Sequence, residues 1–176
     1  IVVPAYITLR NGKKYAVTEI GNRVCDDGMN AKATFTLGEH VESVYFNAFD
    51  GQTNLIGLKM NANLRKIGNN AFRNCNIAND IILPYGIEFL GDYAFSNNPF
   101  KRIRIPSSIQ ILASNAFINN GNLQEIILNS SVFSDVNLKY DFTGIPSSCK
   151  VYVPQGCYDA YKNNQNWGKF TISEGA

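Results

Sequence analysis

Residues able to do covalent or metal chemistry are few and scattered. His40 is the single histidine, and the four cysteines are Cys25, Cys75, Cys149 and Cys157. A nucleophilic site needs a base within reach of the nucleophile. His40 falls at a turn signal, and Cys149 and Cys157 lie several structural units further on. Cys25 and Cys75 are nearer but have no activating neighbours. No cysteine pair has metal-ligand spacing. Asp26-Asp27-Gly28-Met29-Asn30 puts acidic residues beside a glycine, yet lacks the spacing and terminal Glu of a calcium loop. Gly-x-Ser-x-Gly, His-Glu-x-x-His and phosphate-cradling glycine loops are missing. This pattern implies neither an enzyme nor a cofactor or metal site.

Charge and hydropathy narrow the remaining classes. Charged residues make up 17% of the chain and hydrophobic ones 45%, so the surface must be largely neutral and polar. A net charge of +2 gives no field suited to nucleic acid. Lys101, Arg102 and Arg104, with Lys59 and Arg65-Lys66 nearby, read first as a solubilising basic face. No apolar stretch approaches the ~18 residues of a membrane span. The opening run reads as a strand rather than as a signal peptide. Four cysteines do not make a disulfide framework.

The elements that position these residues come from a recurring dipeptide. Ala48-Phe49, Ala71-Phe72, Ala94-Phe95 and Ala116-Phe117 are spaced 23, 23 and 22 residues apart. Val41, Leu64, Ile87 and Ile109 stand eight residues before each Phe, and Val44, Ile67, Leu90 and Leu112 stand five before. Each dipeptide is followed by a polar turn and an alternating run: Leu58-Lys59-Met60, Ile81-Ile82-Leu83, Ile103-Arg104-Ile105 and Ile126-Ile127-Leu128. Val17, Ile20, Val24-Cys25 and Phe35-Thr36-Leu37 extend the frame backwards. Val132 opens a degenerate unit closing on Val151-Tyr152-Val153. About six units result, above the roughly three that a stacked array needs. A unit this short cannot bury its own apolar face, so the units must stack into a solenoid with a continuous core.

The strand period turns the outer residues of each run inward and the middle one outward. The outward column is Thr36, Lys59, Ile82, Arg104, Ile127 and Tyr152. Cys25 takes a Phe position and reads as a buried hydrophobe. Gly21, Gly68 and Gly91 share a position that needs close approach or positive φ. Asn11-Gly12 marks a hairpin within residues 1–20, read as a terminal cap. The 129–141 stretch reads as an irregular loop. At the other end Tyr158-Asp159-Ala160-Tyr161 reads as a helix. Tyr161 and Trp167 either plug the last open face or, with Tyr152 and Tyr158, form an aromatic platform for a sugar.

Leu123-x-x-Ile126-x-Leu128-Asn129, the variant Phe100-x-x-Ile103-x-Ile105-Pro106, and Ile-Gly-x-x-Ala-Phe at 67–72 together resemble the BspA-type leucine-rich repeats of bacterial surface proteins. The resemblance spans residues 17–153, with cap-like flanks at 1–20 and 154–176. It implies one leucine-rich-repeat domain over 1–176: a curved, right-handed superhelix with parallel strands on the concave face. Short helical turns are expected near each Ala-Phe. The implied function is a non-catalytic interaction or adhesion module, on a cell surface or secreted. Its partner would be a host or matrix protein, held across the outward column. Alternatives are a glycan partner, no nucleic acid being expected, or a spacer. The expected state is a monomer without membrane insertion.

Overall fold

A computed structural model describes residues 1–25, 27–131 and 140–175. All six alternating runs form parallel strands. β4 (Ala33–Thr36) pairs with β6 (Leu55–Lys59). β8 (Ile81–Ile82), β10 (Arg102–Ile105), β12 (Glu125–Leu128) and β13 (Lys150–Val153) continue the face, and β14 (Thr171–Glu174) adds a further parallel strand from the C-terminal cap. A second parallel sheet runs along the other side. It holds β3 (Glu19–Ile20), β5 (Ser43–Val44), β7 (Lys66–Ile67), β9 (Phe89–Leu90) and β11 (Ile111–Leu112). Its inward row of Ile20, Val44, Ile67 and Leu90 is buried.

The core between the sheets is built on the repeated Phe. Phe49 and Phe72 stack at 5.2 Å and Phe72 and Phe95 at 5.3 Å, nearly parallel. All four Phe of the frame are buried. Phe117 departs from the stack and packs on Phe142 at 6.2 Å. Its interval is the one that is a residue shorter. Backbone pairing still runs through the column, from Phe49 N–H to Ala71 C=O, Phe72 N–H to Ala94 C=O and Phe95 N–H to Ala116 C=O.

The short helical turns expected near Ala-Phe are not helices. Asn47, Asn70 and Tyr93, two residues before successive Phe, have φ of 53°, 57° and 56°. Asn74, Asn97 and Asn119, two residues after, have φ of 54°, 58° and 59°. A left-handed residue cannot continue a right-handed helix, so each segment is a pair of tight turns. Asn tolerates this conformation better than most residues, which accounts for its frequency here.

A polar column lies beside the Phe column, three residues after it. Gln52 Nε2 donates to Cys25 C=O, Cys75 Sγ to Phe49 C=O and Asn98 Nδ2 to Phe72 C=O, at 2.9, 3.1 and 2.8 Å. Each rung therefore satisfies a carbonyl of the preceding repeat. Asn61 does the same from its own position, donating to Gly38 C=O at 2.5 Å. Gly68 and Gly91 are required by close approach. A Cβ on Gly68 would lie 2.7 Å from Phe46 N, and one on Gly91 2.6 Å from Asn69 N. Gly21 has open space, since no repeat precedes it in the stack.

The terminal units differ from these. β1 (Tyr6–Thr8) and β2 (Lys14–Ala16) form the hairpin, with Gly12 at φ 77°. Every residue of both strands is exposed. The contacts to the core come from Val3 and Val17, beside the hairpin. Cys25 is only half-buried, which corrects the reading of a buried hydrophobe: no preceding repeat stacks a Phe turn on it. At the far end α1 (Tyr158–Lys162) places Tyr161 against Trp167, and both are buried. Most of the expected 129–141 loop, with Val132, lies outside the described residues.

Candidate functional site

The described residues place His40 and the cysteines apart. His40 Nε2 is 2.8 Å from Tyr6 Oη and 3.3 Å from Glu39. No cysteine is paired. Burial pushes the Cys75 and Cys149 thiols up to about 12, which keeps them protonated and poorly nucleophilic. Among the described residues no cluster of His, Cys, Asp and Glu could hold a metal ion; Asp26 of the acidic loop lies outside them. No helix there is long and apolar enough to cross a membrane.

The outward column exists as two segments. Thr36 and Lys59 are partners in register. Residues 1–3 run beside them, with Val2 bridging Thr36. Between β6 and β8 the strand ladder is interrupted. The Asn79 side chain fills in, accepting from Leu58 N–H at 2.8 Å and donating to Leu58 C=O at 3.1 Å. Beyond it Ile82, Arg104, Ile127 and Tyr152 are in continuous register, and Ser173 of β14 extends the row. Ser173 was legible from the Phe170-x-Ile172 alternation.

Exposure within the row is uneven. Ile82 is 62% exposed, but Ile127 is only 8% exposed. This corrects the expectation that Ile127 is an open contact residue. Its register partners Arg104 and Tyr152 carry longer side chains, one strand spacing of about 4.8 Å away on each side. Ile127 is therefore the floor of a cleft of about 290 Å³ lined by Arg102, Arg104, Glu125, Tyr152 and Gly175.

A second outward row runs parallel to the first, through Arg102, Glu125, Lys150 and Thr171. Arg102 Nε donates to Glu125 at 2.5 Å, and its Nη1 donates to Asp80 at 3.1 Å. The Glu125 hydrogen bond and the two carboxylates push the Arg102 guanidinium pKa upward. Arg104, Lys59 and Lys150 have no ion-pair partner among the described residues.

The aromatic platform does not form. Tyr161 and Trp167 are fully buried, with ring centroids 5.9 Å apart at 67°, and Tyr161 Oη donates to Ser130 C=O. These two rings are core. On the opposite sheet Tyr45, Phe46 and Ile111 are exposed, a feature the sequence reading missed. Tyr45-Phe46 replaces the Gly-Asn found at 68–69, which is the signal that could have shown it.

Comparison with known proteins follows the same lines. The family description "BspA type Leucine rich repeat region" matches residues 42–164 in six copies. A leucine-rich repeat protein from Bacteroides ovatus superposes with a TM-score of 0.65 at 22% identity, covering 87% of this chain and 47% of that one. The pneumococcal vaccine antigen PcpA superposes with a TM-score of 0.62 at 20% identity, covering 98% of this chain and 48% of its own. The chain thus spans about half the length of these two structures. No curated protein matches it.

Proposed function

The chain belongs to the BspA-type leucine-rich repeat family, and from that premise we propose that it is a non-catalytic interaction and adhesion module of a bacterial cell-surface or secreted protein. It holds a macromolecular partner, a host or matrix protein, across the face of the paired strands. The observation that carries this is the contrast between two neighbouring arginines. Arg102 is held by Asp80 and Glu125, whereas Arg104 has no ion-pair partner among the described residues and stands between exposed Ile82 and the Ile127 floor. An arginine among apolar neighbours on a rigid sheet is a common anchor composition, and little ordering entropy is lost on binding there.

The test is binding of the purified chain to immobilised extracellular matrix proteins and to a glycan array. Ile82→Ser and Arg104→Ala should each weaken a protein partner by about 1 kcal/mol or more, with the melting temperature nearly unchanged. Gln110→Ala, exposed on the opposite side, is the control and should leave binding intact. Asn97 would be a poor control, because its φ of 58° makes Asn97→Ala a folding variant. Loss of binding in Gln110→Ala but not in Arg104→Ala would place the partner elsewhere.

A further inference from the structure

We infer that the cleft between Arg104 and Tyr152 is a carboxylate-binding site, and that the partner presents an acidic, partly apolar peptide segment to it. The inference rests on the strand face being the binding surface. Charge on this face is unevenly spent. Its carboxylates Asp80 and Glu125 are both occupied by Arg102. Its cations Lys59, Arg104 and Lys150 have no ion-pair partner among the described residues. What the face can still attract is therefore negative.

The cleft gives that attraction a place. Arg104 and Tyr152 stand on opposite sides of Ile127, one strand away in each direction. Their backbones are thus about two strand spacings, or ~9.6 Å, apart. That gap accommodates one carboxylate over the Ile127 floor. The Arg104 guanidinium can donate to it through its paired N–H groups, and the Tyr152 hydroxyl can donate from the other wall. The Arg102–Glu125 pair closes a third side; with Asp80 this trio keeps one net negative charge, so Arg102 offers nothing to the ligand and the attraction must come from Arg104. Ile82, 62% exposed on the far side of Arg104, offers apolar area that a hydrated acidic sugar would not use. A peptide with an acidic and an apolar side chain uses both.

The test is a fluorescence-anisotropy titration with a labelled, capped octapeptide alternating Leu and Glu, against the same peptide with Gln for Glu. The Glu peptide should bind at least about tenfold more tightly than the Gln peptide. Arg104→Gln should remove about that same factor, with Arg104→Lys retaining part of it because the charge persists without the fork. Tyr152→Phe should cause a smaller loss. Binding should weaken as NaCl rises from about 0.05 to about 0.5 M. Lys150→Gln serves as the charge-matched control and should cost less than Arg104→Gln. Equal binding of the two peptides overturns the proposal, as does no binding of either. Equal losses in Lys150→Gln and Arg104→Gln would mean diffuse charge rather than a cleft, and competition by oligogalacturonate alone would mean an acidic glycan. A neutral partner that is lost with Ile82→Ser but is indifferent to Arg104→Gln would keep the strand face and remove only the carboxylate site.

Discussion

The two ends of the solenoid solve the same physical problem in opposite ways. At the C-terminal end Trp167 packs on Phe142 at 4.6 Å, Tyr140 at 5.3 Å and Tyr161 at 5.9 Å, and Phe170 closes on Phe142 at 5.1 Å. The last repeat is sealed by aromatic volume. At the N-terminal end the hairpin is paired but exposed throughout, and Ile7, Leu9 and Tyr15 face solvent. A hairpin meets its own backbone hydrogen bonds, so it can form without burying side chains. A plug works only by long-range contact. Stability should therefore rise along the chain from the exposed hairpin to the sealed end.

The largest effect that could break this comparison is at the plug. Trp167→Ala should destabilise the protein by about 3–5 kcal/mol, whereas Ile7→Ala should change stability by no more than about 0.5 kcal/mol. Urea melts check both. Similar losses at the two sites would show that the hairpin does carry part of the core.

A second prediction concerns the interior. Asn98 is buried and donates to Phe72, Phe95 and Ser96 carbonyls while accepting from Ile77 N–H. Asn98→Ala strands these groups and should cost about 1–3 kcal/mol. The equivalent rung nearer the N-terminal end, Gln52, is half-buried, so Gln52→Ala should cost less. An equal loss would mean that the interior is no drier than the first repeats.

How much of this was legible in the sequence follows from the range of each interaction. The Phe period and the six strand runs could be read directly, because a stacked array repeats its contacts at a fixed spacing. Left-handed Asn70 and Asn97 were not recognised, although Asn at a fixed place in the turn was visible. The signal was read as polarity when it was backbone conformation. The burial of Ile127 could not be read, because it depends on the lengths of Arg104 and Tyr152 on neighbouring strands. Nor could the break at Asn79, where a side chain takes over from the ladder. The half-burial of Cys25 follows from its place in the first repeat, and the frame alone treats every repeat as interior.

The thiols sharpen the comparison by pH. Burial raises the Cys75 and Cys149 pKa from 9.0 to about 12. In the unfolded chain these thiols ionise near 9.0. Their contribution to stability is therefore full below about pH 9 and is lost as pH rises towards about 12. Alkaline melts should show a falling midpoint across that window. Alkylation of the native protein at neutral pH should modify half-buried Cys25 and Cys157 first, with Cys75 and Cys149 protected until global unfolding. Early modification of Cys75 would mean that the interior repeats open locally.

The smallest expected effect separates interior packing from interior charge. Arg73 and Asp50 join adjacent repeats through two bonds, Nε to Oδ1 at 2.9 Å and Nη2 to Oδ2 at 2.6 Å. The geometry is bidentate, which favours strength. The side chains are nevertheless 39% and 22% exposed, so solvent screens them and most of the gain is offset by hydration given up. Donating to the Asp50 carboxylate raises the Arg73 pKa, but this does not make the pair a large source of stability. A double-mutant cycle of Asp50→Asn and Arg73→Gln should give a coupling of about 0.3–1 kcal/mol, falling as salt rises. The Phe49–Phe72 stack lies in the same interface between repeats, is dry, and should couple by about 0.5–1.5 kcal/mol without salt dependence. If the ion pair proved the stronger and insensitive to salt, charge rather than aromatic stacking would set the register between these repeats.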